Sequence, residues 1–420
     1  MKKEEILKIV LNQRKEASKK QYIKRAFLLK DAMDKKDPFV RVFSGVRRCG
    51  KSTLLQMIRR KSDEQDYFLN FDDERLIDFQ VPDFQKLYEV FLEQFGEQKT
   101  FYFDEIQNIH AWERFVRRIH DSNNKVYVTG SNANLLSREL GTHLTGRYIK
   151  TEVYPFSFAE FLKAKKQTVG DLSKLSTKED IVFKRYFNQY LKQGGFPEYF
   201  KSGKSDYLKH IYESIIYRDI AVRHQLPQVK TLKQLSFFCA SNIAKPLSFN
   251  QFKKMFGVGS GTTIKEYFDY FEDSYLFFTL NKHDYSLKKQ AYAPKKVYCI
   301  DNRLAAEVGF RFTQDEGRFL ENVVFLELKR RAKDIFYHKN KKECDFVLTQ
   351  GLHVTEAIQV SKSLEDEATR KRELEGLLEA MEVYDLKEGL ILTENEEGGE
   401  KVGRKKIKIL PIWKWMLLGG

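Results

Sequence analysis

The most chemically specific stretch of the chain is Gly45-Val-Arg-Arg-Cys-Gly50-Lys51-Ser52. A glycine, four residues, then Gly-Lys-Ser is the spacing of a loop that wraps a phosphate chain. Gly45 and Gly50 let the backbone curl, so that N–H groups along Val46, Arg47, Arg48 and Cys49 turn inward toward phosphate oxygens. A helix starting directly behind the loop would add the positive end of its dipole. Lys51 would bridge the β- and γ-phosphates of a nucleotide, Ser52 would hold Mg2+, and Thr53 closes the set of ATP-contacting positions. An apolar strand over 39–43 precedes the loop and an amphipathic helix over 53–60 follows it, which disfavours a chance Gly-rich turn.

Phosphate chemistry also needs acids. Lys-Thr-Phe-Tyr-Phe-Asp104-Glu105 reads as an apolar strand ending in two carboxylates, about fifty residues after the loop. In a parallel α/β sheet the strand end places both beside the loop. Asp104 would support Mg2+ through its water shell, and Glu105 would polarise the attacking water. A third strand, 125–130, ends in small polar residues, and Thr129, Ser131 or Asn132 could sense the γ-phosphate or the water. Equally, Ser131 and Asn132 could cap a helix over 133–140. Arg147 lies just before the next apolar strand. It could complete a nucleotide site, its own or a neighbour's, or form a surface ion pair.

A second chemistry-bearing pattern lies near the C-terminus. A helix starting near Gly317 carries Glu321, Asp345 opens the core of a later strand, and the strand after that holds Gln359, Val360 and Ser361. Helix-Glu, strand-Asp, strand-Glu-x-Lys is the order of Mg2+-dependent nucleases. Here Gln359 stands where the second metal-binding acid belongs and Ser361 where the Lys belongs. Gln brings no charge to offset Mg2+. Glu356 points to the opposite strand face from Gln359 and does not substitute for it. An inactive structural domain is therefore preferred over an active nuclease.

The 420 residues must be organised as more than one core. With 42% apolar and 14% aromatic residues the chain is not disordered. No run of apolar residues is long enough to span a membrane, and the charged first residues do not read as a secretory leader. Four scattered cysteines, Cys49, Cys239, Cys299 and Cys344, show neither metal nor disulfide spacing and suit a reducing cytoplasm. The formal charge of +15 favours anionic partners without naming one. Residues 1–37 hold twelve Lys or Arg against six acids, as expected of a nucleic-acid arm or a solvated helix face.

Residues 164–180 break the apolar pattern and read as a surface loop or short helices. From 181 to about 256 the chain reads as helical. A helix after Pro246, a Gly-rich turn at 257–261, a helix over 262–272 and strands near 275–280 and 296–300 follow, with a basic loop, 282–296, between the strands. That is the order of a winged helix-turn-helix. Its third helix carries Glu266, Asp269, Glu272 and Asp273 against Lys265, which is poor for phosphate contact. A docking role is weighed slightly above base readout.

Beyond these readings, several motifs resemble one family. They are Gly45-Val-Arg-Arg-x-Gly-Lys-Ser, Asp104-Glu105-Ile-Gln, Thr129-Gly-Ser, Gly146-Arg147, Tyr154-Pro-Phe-Ser-Phe, Gln193-Gly-Gly-Phe-Pro-Glu and Tyr217-Arg-Asp-Ile. Together they are similar to prokaryotic two-part ATPases of the AAA+ superfamily, whose C-terminal half is a domain of unknown function. The resemblance implies a five-stranded parallel AAA+ sheet binding ATP and Mg2+, a winged helix, and a restriction-endonuclease-like α/β domain that here is degenerate. The expected divisions are an N-terminal helical segment, 1–37, an ATPase domain, 38–163, a helical and winged-helix domain, 181–300, and the nuclease-like domain, 301–420. The function expected is a Mg2+-dependent ATPase working as a switch or motor on nucleic acid or protein. An ATP-gated nuclease and a non-catalytic ATP-binding adaptor are the alternatives. Assembly into a homo-oligomer is left open.

Overall fold

The computed structural model describes residues 1–17, 23, 25, 29, 33, 37–131, 144–256, 261–310 and 316–418. The chain divides into two compact units, Met1–Tyr154 with Asp273–Tyr275, and Pro155–Glu272 with Leu276–Gly420.

The first unit is built on strands β1 (Val40–Ser44), β2 (Phe68–Asn70), β3 (Thr100–Asp104), β4 (Lys125–Gly130) and β5 (Tyr148–Glu152). They lie in the order β2-β3-β4-β1-β5, and every neighbouring pair is parallel. This is the five-stranded parallel sheet that the resemblance implied. Every residue of β1 is buried, as expected for a parallel strand covered on both faces. Helices Lys51–Lys61, Asp83–Phe95 and Trp112–Asp121 follow β1, β2 and β3. They bury Phe84, Phe91, Trp112 and Phe115 against Phe101 and Phe103 of β3, and the Phe84 and Phe115 rings stack at 4.5 Å.

The helix Lys3–Ala17 belongs to this core. Ile6, Ile9 and Val10 are buried in it. Gln13 clamps Asn70 at the end of β2, with its Nε2 donating to the Asn70 carbonyl (3.0 Å) and its Oε1 accepting from the Asn70 N–H (2.8 Å). The start of the chain is thus an amphipathic helix of the first unit, with its charged side solvated, and not a segment apart.

The second unit opens with the helices Phe158–Ala164 and Thr177–Gln193. Both start on capping boxes, Ser157 with Glu160 and Ser176 with Glu179, so helix resumes a few residues before 181. Two of the resembling motifs meet here: Phe156 N–H donates to the Gly195 carbonyl (2.7 Å), and Gly195 N–H donates to the buried carboxylate of Asp301 (2.6 Å). The Tyr217–Ile220 motif falls inside a π-helical stretch, Ile215–Val222, continuing the helix Ser205–Ser214.

Next come the helix Lys230–Ser241, strand β6 (Pro246–Leu247), helices Phe249–Phe256 and Gly261–Asp273, and strands β7 (Phe277–Leu280) and β8 (Lys295–Cys299). The three strands form an antiparallel sheet in the order β6-β8-β7. The Gly-rich turn expected at 257–261 lies, but for its last residue, outside the described residues. The basic stretch between β7 and β8 contains a short helix, Leu287–Tyr292, begun by Ser286. Lys296, expected at the end of the basic loop, is the second residue of β8 and is 1% exposed.

The rest of the second unit is a six-stranded mixed sheet. Strands β9 (Asp334–Lys339), β10 (Glu343–Gln350), β11 (His353–Val360), β12 (Glu388–Thr393), β13 (Gly398–Val402) and β14 (Lys405–Pro411) lie in the order β13-β14-β12-β11-β10-β9. The helix Glu316–Arg330 precedes β9, and the helix Glu367–Val383 connects β11 to β12, which are parallel. Gly376 brings that second helix onto β10: a Cβ built there would lie 2.1 Å from the Glu343 carbonyl oxygen. Because the obstacle is backbone, Gly376→Ala should lower the unfolding transition of the second unit by about 1–3 kcal/mol despite alanine's better helix propensity. Thermal unfolding followed by circular dichroism measures this, and an unchanged midpoint contradicts it.

Candidate nucleotide-binding site

The loop Gly45–Gly50 leaves β1 and runs straight into the helix Lys51–Lys61. Val153 N–H donates to the Ser44 carbonyl at 2.7 Å, which draws the chain after β5 tightly against the loop entrance. A Cβ on Gly45 would stand 2.1 Å from the Val153 carbonyl oxygen, so no larger residue fits. Gly50, at φ 104°, turns the chain into the helix. Val46 and Cys49 are buried, Arg47 is half-buried, and Arg48 and Ser52 face solvent. Arg25 braces the loop from beneath, donating to the carbonyls of Cys49 (3.2 Å) and Tyr154 (2.9 Å).

Lys51 is buried. Its Nζ donates to the Gly45 (3.1 Å) and Val46 (3.2 Å) carbonyls and lies 3.6 Å from Glu105 Oε1. The ammonium is thereby held at the loop entrance, opposite the acids. Register explains their placement: Phe43 of β1 pairs with Thr129 of β4, and Phe103 of β3 pairs with Val128. Thr129 then serves both acids, its Oγ1 donating to Asp104 Oδ1 (2.5 Å) and accepting from the Glu105 N–H (3.0 Å). Glu105 sits in the left-handed region at φ 50°, and Gln107 Nε2 donates to its Oε2 at 2.6 Å.

The environments push the two carboxyls apart. Burial, then the neighbouring charge of Glu105, raises Asp104 to about 6, against the opposing pull of Thr129, Ser52 and Lys51. Burial would raise Glu105 too, but the Lys51 charge, Gln107, Arg47 and Ser131 together bring it below its ordinary value. Glu105 therefore ionises at lower pH than Asp104 and stays charged where Asp104 is still titrating.

Lys51, Ser52, Asp104, Glu105, Thr129 and Ser131 thus converge on one sheet edge. Asn132 and the helix expected over 133–140 lie outside the described residues. Arg147 does not join them. It stands at the start of β5, where its carbonyl accepts from Val40 N–H (2.8 Å), and its Nε donates to Asp121 (2.9 Å). At about 3.3 Å per residue, the length of β1 separates it from the loop by roughly 13 Å. The expectation that Arg147 could complete its own site is corrected, because it sits at the wrong end of a parallel strand.

Several positioning residues were missed. Arg25 and Gln107 carried no local signal of their role, although Gln107 lies within a resembling motif. Tyr275, at φ 59°, belongs to the first unit through a three-residue excursion of the chain. Its hydroxyl lies 2.7 Å from Ser44 Oγ and donates to Glu152 Oε1 (3.2 Å), directly beneath the loop. No local pattern marks that return.

The C-terminal acids also meet. Glu321 comes from the helix Glu316–Arg330, and Glu343 and Asp345 alternate along β10. Lys296 Nζ lies 2.9 Å from a carboxylate oxygen of each. Gln359 accepts from the Asp345 N–H (3.2 Å) and donates to Glu373 (2.5 Å), while Ser361 turns away to the Ser363 carbonyl (2.9 Å). Sequence reading had placed Lys296 at the junction of the basic loop and the strand after it, and did not single out Glu343, Glu373 or Tyr298.

An AAA domain family matches residues 37–162, and a domain of unknown function (DUF8612) matches residues 184–315. With the sheet order and the phosphate loop, this defines the first unit as a P-loop nucleotide-binding domain of the AAA+ type. The chain belongs to the same family as the uncharacterized protein MJ1544 of Methanocaldococcus jannaschii, with 36% identity over 400 residues, 90% of this chain and 88% of that protein. An uncharacterized protein of Haemophilus influenzae is 31% identical over 422 residues, 95% of this chain and 98% of its own length. AMPPCP-bound DnaA from Aquifex aeolicus aligns over 58% of this chain and 86% of its own at 15% identity and a TM-score of 0.25, too low to carry an argument. None of the described helices is long and apolar enough to cross a membrane.

A pH dependence follows from Asp104. Its folded value, about 6, lies above the ordinary 3.8, so its contribution to stability is full below the lower value and lost as pH rises through the upper one. Without nucleotide and with chelator present, Asp104→Asn should gain stability relative to the native protein by about 2–3 kcal/mol between roughly pH 4 and pH 8. Denaturant unfolding across that range tests it, and a constant difference refutes it.

Proposed function

We propose that the protein is a Mg2+-dependent ATPase that works as a switch or motor on a macromolecular partner. The observation that carries this is the convergence of Lys51, Asp104 and Glu105 at one sheet edge, with Thr129 bonded to both acids. The Gly-flanked loop and the buried Lys51 ammonium at its entrance suit a triphosphate. Ser52 and Asp104, whose side chains already interact, fit a hydrated Mg2+, which when bound would neutralise charge on the β- and γ-oxygens. Glu105, kept ionised by Lys51 and oriented by Gln107, takes up the proton of the attacking water. Thr129 keeps Asp104 and the Glu105 backbone in fixed relation while this happens. An adaptor that merely stores ATP has no use for an ionised, oriented acid at this place.

The partner is read from the second unit. Its order of helix, strand, two helices and two strands supports a winged helix. The helix Gly261–Asp273 is acidic, and Glu272 is already engaged by the Thr279 N–H (2.7 Å). This favours a protein surface over a base-reading one.

Lys51→Ala should abolish hydrolysis, whereas Glu105→Gln should keep nucleotide affinity within a few-fold and lower kcat by about 10^2–10^4-fold. Steady-state hydrolysis and equilibrium binding of a fluorescent ATP analogue separate the two effects. Full activity of Lys51→Ala sinks the reading.

Arg147, which stands away from the loop of its own copy, is proposed instead to act at a neighbouring copy's nucleotide. Arg147→Ala alone should then lower kcat by roughly 10^3-fold or more without weakening binding. Mixing it with Lys51→Ala should restore part of the activity, since each variant supplies what the other lacks. Wild-type turnover by Arg147→Ala removes the neighbour's role.

A further inference from the structure

The helix-Glu, strand-Asp arrangement of the C-terminal sheet implies a Mg2+ site for phosphodiester hydrolysis, and the residues present do not fit one. Lys296 comes from β8, outside the six-stranded sheet, and reaches the one point shared by Glu321 Oε1, Glu343 Oε1 and Asp345 Oδ1, 2.9 Å from each. It is 1% exposed. Three carboxylate oxygens around one buried cation is the arrangement a divalent metal would demand, except that 2.9 Å is an N–H···O distance and Mg–O is about 2.1 Å.

Further contacts fix the carboxylates in place, Lys339 lying 3.2 Å from Glu343 Oε2. Asp345 Oδ2 accepts from the Val360 N–H (3.0 Å), and Tyr298 donates to Glu321 Oε1 (2.7 Å). Gln359 is held between Asp345 N–H and Glu373, and Arg372 donates to Glu373 (2.5 Å). Among the described residues no group of His, Cys, Asp and Glu is disposed to hold a metal ion.

We propose that the Lys296 ammonium is the permanent cation of this cluster and occupies the place of the divalent metal, so that the domain is a nuclease-like frame closed by its own side chain. The electrostatics agree with a permanent pair. Burial would lower Lys296, but the charges of Asp345, Glu321 and Glu343 outweigh it and hold it well above its ordinary value. Burial and the Asp345 charge raise Glu321, which limits the negative charge that one ammonium must balance.

This inference concerns the second unit alone and stands or falls independently of the ATPase reading. The test is Mn2+ titration of the full chain without nucleotide, followed by electron paramagnetic resonance. Native protein and Asp345→Asn should bind Mn2+ identically. Lys296→Met, which empties the centre of the cluster, should gain one site about tenfold or more tighter than any in the native protein, lost again in the Lys296→Met, Asp345→Asn double variant. Binding by native protein that Asp345→Asn removes would show that metal displaces Lys296, and would overturn the proposal. So would a folded Lys296→Met with no added site. Removing one partner from a buried ion pair can prevent folding. In that event plasmid incubation with native protein and Mn2+ decides: intact plasmid supports the closed frame, and cleavage abolished by Asp345→Asn overturns it.

Discussion

An ammonium taken out of water must be surrounded by oxygen, and two lysines impose that demand on this protein. Lys51 meets it with two loop carbonyls and, further off, Glu105. Lys296 meets it with three carboxylates. A buried cation left unpaired costs several kcal/mol, so the elements carrying its partners must arrive together or not at all. At Lys51 those elements are the β1 loop and the end of β3, and their alignment is set by β4 between them. At Lys296 they are β8, the helix Glu316–Arg330 and β10.

The two sites differ in what the partners leave free. The oxygens around Lys51 are mostly neutral carbonyls, which hold the ammonium without cancelling its charge, so attraction for a polyanion persists. Around Lys296 the oxygens are acidic and close to equidistant, so the cation is neutralised where it stands. One arrangement keeps a charge available for chemistry. The other consumes it to close a core.

The order of the β1 loop, the β3 acids and the β4 Thr was legible because each is local. A glycine pair with Lys-Ser, and an apolar run ending in Asp-Glu, carry their meaning within a few residues, and a parallel sheet delivers the ends of such strands to one edge. The strand starts and ends fell within a residue or two. Arg147 was misjudged for a related reason: its proximity to a strand was legible, but the strand's direction decided which edge it would occupy. Arg25, Gln107 and Tyr275 support the loop or its acids through backbone carbonyls and hydroxyls, and such contacts leave no spacing rule behind.

Sequence alone therefore pointed to the nucleotide-binding loop and its paired acids, because phosphate binding needs particular residue types at short, fixed spacings. It also determined that the C-terminal acids lacked their usual partners, since Gln359 and Ser361 could be read directly. Only the tertiary structure decided what replaced them. Lys296 lies 25 residues before Glu321 and 49 before Asp345. No periodicity links those separations; they become a single 2.9 Å contact shell only when β8 packs beside the helix and β10, because the low dielectric there permits a charge to sit nowhere except against its opposites.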